Sequence, residues 1–309
     1  MNGVRPKDVE RATRIKTALG RFVTEAHPLP GIDDQRSLET LVAQIVESLR
    51  RQEYFQDVAK RTFDGTTFDP NATSFNPYHY AVALNAKGQA DEALWLVFLA
   101  VYFGKHQIDG WSLLRNFYGR LGQGEPWTYH AISANGAPFR EWIETNVNEV
   151  SDGRFGNHRK YATVLSEQGN GLAQSIESFL EGFGKDGPAS TINSLLGGIN
   201  DPTVRFEQVY GIFKRVHGFG RLGAFDIATT LCQLGIINGS PGHPYLAGAT
   251  GPLAGARLVL TGNKRSAQTA KELTPRLVEL MNALGVDGQV VEDALCNWQK
   301  SPRAFVPFR

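Results

Sequence analysis

The pattern of apolar and polar positions along the chain is helical almost throughout. In "LETLVAQIVESLRRQEYFQDVAKR" apolar residues recur at steps of three and four, and Ser37 directly before this segment is a predicted N-cap. "DPTVRFEQVYGIFKRV" begins with Asp201 as a predicted cap and Pro202 at the first helical position. "ALWLVFLAVYF", residues 93–103, is apolar on all sides but too short to span a membrane, so it predicts a buried helix.

Other segments show where this helical pattern is interrupted or ends. "SAQTAKELTPRLVELMNAL" is a predicted helix that opens on Ser266 and ends before Gly285, and Pro275 in its middle is expected to kink or split it. "ARLVLTG", residues 256–262, is the one short candidate strand, and the polar stretch 63–77 is a predicted boundary or functional loop. Because strand patterns are otherwise almost absent, we expect an all-α fold.

Composition excludes several classes of protein. With 309 residues, 41% of them hydrophobic and 20% charged, the chain is typical of soluble globular proteins. The first residues are charged and carry no apolar stretch, so we expect no secretory signal, a cytoplasmic location and no membrane partner. Cys232 and Cys296 lie in helical patterns, and no pair of histidines has metal-ligand spacing. The sequence therefore predicts no disulfide framework, no metal and no cofactor.

Basic residues are concentrated although the net charge is only +1. Residues 227–271 contain no Asp or Glu but include Arg257, and a second basic group, "RFGNHRKY", contains His158, Arg159 and Lys160. A basic face on a nearly neutral protein favours a polyanion that is bound on one side. Chance clustering on a solvated surface explains the same pattern equally well.

Familiar catalytic signatures do not fit this chain. The glycine-rich segments "GATGPLAGARL" and "TGNKRS" lack the Gly-Lys-Ser/Thr ending of a phosphate-binding loop. "GFGRLG" does not follow a strand, as a dinucleotide-binding fingerprint requires, and no serine nucleophile elbow is present.

The segment "VHGFGRLGAFDIATTL" places Gly218 and Gly220 between two predicted helices. Each glycine costs about 1 kcal/mol inside a helix, so the break calls for a reason. It is either a tight turn between packed helices or a backbone that approaches a phosphate, with N–H groups exposed beside a helix N-terminus. The segment resembles the hairpin of the helix-hairpin-helix DNA glycosylase superfamily, and this resemblance implies that both glycines bind a phosphate, assisted by His217 and Arg221.

Further segments occur in the same order in one family: "FNPYHYA", "DEALWLVFLAVYFGKH", "RFGNHRKY", "GFGRLGAFD", "YLAGATGPLAGARL" and "EDALCNWQKSP". Over roughly residues 60–309 the chain resembles the α-glutamyl/putrescinyl-thymine pyrophosphorylase family, clade 3. The resemblance implies an antiphage DNA glycosylase that flips and excises a bulky modified base, such as glucosylated hydroxymethylcytosine, from double-stranded phage DNA. It also implies an N-terminal helical segment, residues 1–60, before a glycosylase-like catalytic region, residues 61–309, of one or two helical subdomains, and we expect a monomer.

Two other functions stay open at this point. One is a transferase or pyrophosphorylase that hypermodifies bases in hydroxymethylpyrimidine DNA, as the family name says. The other is a DNA-binding protein without catalysis.

The sequence departs from ordinary glycosylases at two positions that matter for catalysis. Leu222 stands where bifunctional relatives carry a lysine nucleophile, so abasic sites without strand cleavage are expected. The segment "NGSPGHPYL" stands where an aspartate is usual, so a carboxylate that stabilises positive charge on the sugar must come from elsewhere. The candidates are Asp226, Asp293 and Glu292, and for Asp226 a salt bridge is an equally good explanation. Asp69 and Asp91 are weaker candidates, since both also resemble helix or turn caps.

Base recognition needs polar groups that read the flipped base and a surface on which it stacks. The positions after the buried helix, the start of "NPYHY" and the polar face of "VEDALCNWQK" offer such groups. Each segment has a structural alternative. The positions after the buried helix could satisfy helix-end carbonyls, the residues of "NPYHY" could serve in capping and core packing, and the polar face of "VEDALCNWQK" could be solvated. The predicted pocket residues are Asn76, Tyr78, Lys105, His106, Gln107, Asn297 and Trp298.

Overall fold

The structure, a computed structural model, describes residues 3–25, 27–63, 65–156, 163–165 and 171–307. In these ranges it contains α-helices, short 3-10 turns and two isolated β-bridges but no strand, so the all-α prediction is confirmed. The helices, in chain order, are α1 (Val9–Glu25), α2 (Gln35–Lys60), α3 (Pro77–Ala86), α4 (Ala90–Phe103), α5 (Ser112–Tyr118), α6 (Tyr129–Ala134), α7 (Ala137–Thr145), α8 (Val147–Val150), α9 (Leu172–Phe183), α10 (Gly187–Leu196), α11 (Pro202–Lys214), α12 (Gly220–Gln233), α13 (Gly251–Thr261), α14 (Ala270–Leu284) and α15 (Gly288–Trp298).

The chain divides into two compact units. The terminal unit comprises Met1–Tyr54 and Ser240–Arg309, and the central unit comprises Phe55–Gly239. The N-terminal helices share their core with the C-terminal helices, and a functional division between residues 60 and 61 stays a prediction.

The core of the terminal unit is built from helices at both ends of the chain. Apolar residues on α1 recur at steps of three and four, and they pack with buried side chains of α2, α13, α14 and α15. Trp298 at the end of α15 is completely covered, and its indole N–H donates to the carbonyl of Ser37 at 3.2 Å. The contact joins positions 261 residues apart in sequence.

Helix α4 is the centre of the central unit. Every residue from Ala93 to Phe103 is buried, which confirms the buried helix predicted from its apolar sequence. The ring of Phe98 lies 4.3 Å from that of Phe179 on α9 and 5.0 Å from that of Phe219, between centroids. Aromatic packing of this kind contributes beyond the area it buries and positions α9 and the start of α12 around α4.

Two helices begin at caps other than the predicted ones. α2 starts before Ser37, and the carboxylate of Asp34 accepts the N–H of Ser37 at 3.1 Å and its hydroxyl at 2.6 Å. α14 starts after Thr269, which forms a reciprocal capping box with Glu272, so Ser266 lies outside the helix. In both cases a stronger acceptor or a complete box lies within three residues of the predicted cap. The predicted cap Asp201 with Pro202 behind it is confirmed.

The candidate strand at residues 256–262 is wrong, because this segment lies in α13 and its C-cap. A Cβ on Gly255 would lie 2.3 Å from the carbonyl oxygen of Leu295, so the small residue lets α13 approach the backbone of α15. The predicted split at Pro275 is also absent, since α14 is one helix from Ala270 to its C-cap Gly285. Buried leucines on both sides of the proline hold the helix against the core.

Candidate functional site

The structure contains the glycine-rich turn between two helices, α11 and α12, that the sequence predicts. α11 ends at Lys214 and α12 begins at Gly220. Gly218 has φ +78° and Gly220 has φ +53°, in the left-handed region that residues with a Cβ adopt at a cost of about 1–2 kcal/mol. Backbone conformation therefore explains why both positions are glycine.

The residue between the glycines fixes the turn to the core. Phe219 is only 2% exposed and stacks on Phe98 of α4, whereas Gly218 and Gly220 are exposed. Because the phenylalanine side chain points inward, the backbone of the two glycines faces outward.

Helix α9 supports the turn from one side. The hydroxyl oxygen of Ser178 accepts the N–H of His217 at 2.9 Å. A Cβ on Gly218 would lie 3.0 Å from the hydroxyl oxygen of Ser175, which is fully buried and makes no hydrogen bond to any described residue. A Cβ on Gly220 would have no atom within 4 Å. Gly218 is therefore close to α9, while Gly220 faces open space.

Backbone donors at the start of α12 are exposed towards this space. The first N–H groups of any α-helix have no acceptor within the helix, and the helix dipole adds partial positive charge there. Among the described residues, none accepts a hydrogen bond from the N–H of Gly220 or Leu222. A phosphate oxygen suits this position in both charge and hydrogen bonding.

Cationic side chains border the same turn. Lys214, Arg215 and His217 are exposed, and Lys214 also lies 5.7 Å from the ring centroid of Tyr210. The guanidinium of Arg221 lies 4.9 Å from the ring centroid of Phe225, a cation–π contact that restrains it on the surface of α12. We call this turn, with Lys214, Arg215, His217 and Arg221, the hairpin surface. Its lysine and two arginines give it a net positive charge.

Asp226 lies on α12 one turn after Leu222. Both are half-buried, whereas residues 223–225 and 227–231 are buried. Positions i and i+4 share a face of an α-helix, so Asp226 lies on the same side as Leu222. Six residues at 1.5 Å each place it about 9 Å along the helix from Gly220.

A second group of predicted residues lies in the loop after α4. Lys105 and Gln107 are exposed, and the half-buried His106 accepts the N–H groups of Ile108 at 3.3 Å and Asp109 at 3.2 Å through Nδ1. A pair of 2.9 Å backbone hydrogen bonds between His106 and Gly110 closes the loop. At the end of α4 the carbonyl of Phe103 accepts the N–H of Gly156, so this carbonyl does not depend on Lys105 or His106.

The tip of this loop presents an apolar residue that sequence reasoning missed. Ile108 is 77% exposed, the largest exposed fraction among the large hydrophobic residues that the structure describes. Arg154 anchors the loop with hydrogen bonds of 2.7 and 2.8 Å to the carboxylate of Asp109. The only signal in the sequence was the position of Ile108 between two polar residues in a tight turn.

Asn76 and Tyr78 have the structural roles, capping and core packing, that the sequence analysis gave as the alternative to base binding. The side-chain oxygen of Asn76 caps α3 by accepting the N–H groups of Tyr78 at 3.0 Å and His79 at 3.4 Å. The ring of Tyr78 packs edge-on against Phe55 and Trp111. A base-binding role for these two residues stays a prediction.

Asp69 and Asp91, the weaker acidic candidates, accept backbone N–H groups of a turn and of the first turn of α10, respectively. The carboxylate of Asp69 accepts the N–H of Asn71 at 2.8 Å, and that of Asp91 accepts the N–H of Ala189 at 2.8 Å.

The polar face predicted on α15 is part of a network in the terminal unit. One carboxylate oxygen of Asp293 accepts the hydroxyl of Ser48 at 2.5 Å and forms an ion pair with Arg51, and the other accepts the amide of Asn297 at 2.9 Å. Lys300 in turn donates to Asn297 at 3.1 Å. Burial lowers the pKa of Arg51, against the raising effect of the nearby carboxylate of Glu47. Both oxygens of Asp293 are engaged, which is the arrangement of a structural ion pair.

Other predicted residues of the terminal unit are less accessible. Glu292 is buried, and Trp298 is completely covered by the core, so no face of its indole is open for a base to stack on. Arg257 is half-buried and donates to the carbonyl of Gln268 at 2.8 Å. The predicted DNA-binding residues His158, Arg159 and Lys160 lie outside the described residues.

Searches of the described residues for two other kinds of feature give negative results. No helix in these ranges is long and apolar enough to cross a membrane. No group of three or more His, Cys, Asp or Glu side chains there is arranged to hold a metal ion.

Comparison with known proteins identifies one family. No curated protein and no solved structure matches this chain significantly. The model of the family described as alpha-glutamyl/putrescinyl thymine pyrophosphorylase clade 3 matches residues 36–309, which is most of the chain and includes every predicted site residue. Its name refers to enzymes of modified thymine bases in DNA. The protein therefore belongs to clade 3 of the alpha-glutamyl/putrescinyl thymine pyrophosphorylase family.

Proposed function

We propose that the protein is a DNA N-glycosylase that excises a bulky modified pyrimidine from phage DNA and leaves an abasic site. Glucosylated hydroxymethylcytosine is the proposed type of substrate, and antiphage defence is the proposed role. The observation that supports the proposal most is the geometry of the hairpin. The side chain of Phe219 is buried in the core, and Gly220 at the N-terminus of α12 lies beside open space that a phosphate could occupy.

Binding through this turn would be independent of DNA sequence. Backbone N–H groups and a helix N-terminus contact phosphates, which are the same at every step of the duplex. The cations of the hairpin surface add electrostatic attraction that weakens with salt.

The loop after α4 suits the extrusion of a base. An exposed apolar side chain can enter the base stack and unstack the neighbouring step, which costs a few kcal/mol and helps to turn a nucleotide out. Ile108 is such a side chain, and Lys105 and Gln107 beside it are exposed for contacts with the phosphate or the extruded base.

For the chemical step we favour Asp226. Hydrolysis breaks the bond between C1′ of the sugar and the base nitrogen, water adds to C1′, and the base leaves with a proton. Positive charge develops on the sugar in the transition state, and a carboxylate stabilises it. Asp226 is on the helix that would hold the phosphate, and this position is the reason for the choice. Asp293 and Glu292 remain the second choices.

A base-hypermodifying transferase or pyrophosphorylase is the alternative that the family description favours. It would bind the same DNA but change the base instead of releasing it. A DNA-binding protein without catalysis is the second alternative, since the usual aspartate is missing.

Incubation with modified phage DNA separates the three functions. Abasic sites, counted with an aldehyde-reactive probe, should accumulate in DNA that carries glucosylated hydroxymethylcytosine and not in unmodified DNA of the same sequence. Retarded migration without abasic sites would instead support a non-catalytic binder.

Gly220→Ala is expected to weaken DNA binding about tenfold or more on all sequences alike, because a Cβ would occupy the space proposed for a phosphate oxygen. Loss of this contact should also flatten the dependence of affinity on salt. Fluorescence anisotropy with labelled duplexes at several salt concentrations measures both effects.

The matched control is Gly235→Ala. Gly235 follows α12 at its other end with φ +68°, and a Cβ there would also meet no atom within 4 Å. Both variants carry similar backbone strain, so only Gly220→Ala should affect DNA binding. Equal affinities for the two folded variants would remove the hairpin as the phosphate site.

Base excision should be monofunctional, because Leu222 cannot form a Schiff base with the sugar. Strand breaks should appear only after alkali or heat, and borohydride should trap no covalent enzyme–DNA adduct. A trapped adduct would show that a lysine acts as nucleophile and would direct attention to Lys105 or Lys300.

A further inference from the structure

The central unit contains a cavity of about 750 Å³ at the N-terminal end of α4. This volume is typical of small-molecule sites. Its walls include Glu92 and the side chains of Tyr80, Tyr118, Tyr129 and His130. Glu92 lies in the first turn of α4, whereas the loop of Ile108 follows its last turn. About 17 Å of helix, from Glu92 to Phe103, therefore separates the cavity from that loop. Neither the hairpin nor the loop uses this cavity.

Two donors hold the carboxylate of Glu92 at the cavity wall. The hydroxyl of Tyr118 donates to one oxygen at 2.8 Å, and the N–H of Tyr129 donates to the other at 2.7 Å. Each oxygen of a carboxylate accepts about two hydrogen bonds, so both retain capacity for a ligand. Burial raises the pKa of Glu92 to about 7, against the lowering effect of these two hydrogen bonds. The group thus exposes an incompletely compensated carboxylate to the cavity.

The charges around the cavity favour a cation. Three carboxylates line it, those of Asp91, Glu92 and Asp186, against one ammonium, that of Lys185. A phosphate or nucleotide would meet net negative charge here. A cation would be attracted by the carboxylates.

We propose that this cavity binds a small organic cation, an ammonium group with an apolar body, and that the carboxylate of Glu92 is its counter-ion. The site is independent of the hairpin surface and of the proposed glycosylase activity. It is a site for an effector.

Isothermal titration with three isosteric probes tests the site: benzylammonium, benzyl alcohol and benzoate. Benzylammonium should bind saturably at millimolar concentrations, and the neutral and anionic probes should bind at least tenfold more weakly. The comparison uses the wild-type protein, so it does not depend on whether a variant folds. Equal binding of all three probes, or no saturable binding of benzylammonium, would overturn the proposal.

Glu92→Gln should weaken benzylammonium binding at least tenfold, since an amide keeps the shape of the carboxylate but not its charge. The amide oxygen can accept the N–H of Tyr129, and the NH2 group can donate to the hydroxyl oxygen of Tyr118. Gly220→Ala should bind the probe like the wild type. Unchanged affinity in folded Glu92→Gln would contradict the role of this carboxylate.

Affinity for benzylammonium should fall as the pH decreases from about 8 to about 6, by up to tenfold per unit below the pKa of Glu92. The other titratable groups that face Glu92 are Asp91, Tyr118, Tyr129, Tyr80, His130, Lys185 and Asp186. Repeating the profile with His130→Gln separates the nearby imidazole from the carboxylate. A profile that becomes flat in His130→Gln would assign the pH dependence to the histidine and overturn the assignment to Glu92.

Discussion

Asp226→Asn should lower the single-turnover rate of base excision about 100-fold while leaving DNA affinity nearly unchanged. The carboxylate is proposed to stabilise charge that exists on the sugar only in the transition state, so its loss should cost roughly 3 kcal/mol there and little in the ground state. Quenched-flow excision with excess enzyme gives the rate, and anisotropy gives the affinity.

Asp293→Asn is the matched control for Asp226→Asn. Asp293 accepts hydrogen bonds from Ser48 and Asn297 and pairs with Arg51, so its substitution should lower the melting temperature. Excision should then fall only in proportion to the folded protein. If Asp293→Asn abolishes excision in folded protein and Asp226→Asn does not, the catalytic carboxylate lies in the terminal unit. If both variants excise at the parental rate, the search moves to Asp69 and Asp91.

Glu92→Gln should make the protein more stable than the wild type at about pH 8, by about 3 kcal/mol, and should have little effect at about pH 4. The pKa of Glu92 rises from 4.5 to about 7 on folding, so the folded state keeps a proton that the unfolded state has lost between these values. The free energy of unfolding of the wild type therefore decreases as the pH rises through this range, whereas glutamine does not ionise. Urea unfolding at the two pH values measures the difference.

Glu272→Gln provides a comparison of opposite sign. Hydrogen bonds from Thr269 lower the pKa of Glu272, so the ionised carboxylate stabilises the folded state above its unfolded pKa. Glu272→Gln should therefore lower the free energy of unfolding at about pH 8.

The prediction for Glu92 has a clear contrary outcome. A wild-type protein that is as stable as Glu92→Gln at both pH values would show that burial does not raise the pKa of Glu92.

Local sequence signals predicted the features that depend on local chemistry. The apolar run of α4, the cap at Asp201 and the Gly-Phe-Gly turn were all predicted, because caps, buried helices and left-handed glycines are encoded within a few residues. The segment 256–262 was mistaken for a strand because a short apolar run has no clear period.

Features that depend on distant contacts were not predictable. The ion pair of Asp293 needs Arg51, which lies 242 residues away in sequence, and the terminal unit joins the two ends of the chain. The cavity at Glu92 needs α4, α5 and α6 together, and a single glutamate at a helix start is an ordinary surface residue in the sequence. Exposure of Ile108 depends on a loop closed by His106 and Gly110, which the residue pattern does not specify.

Mass spectrometry of the products from modified phage DNA tests the central claim most directly. After incubation, the soluble fraction should contain the free modified base at its intact mass, in amounts equal to the abasic sites in the DNA. Folded Asp226→Asn should release about 100-fold less in a single-turnover time course. A base that stays in the DNA with a changed mass would contradict the glycosylase account and establish a base-modifying transferase instead.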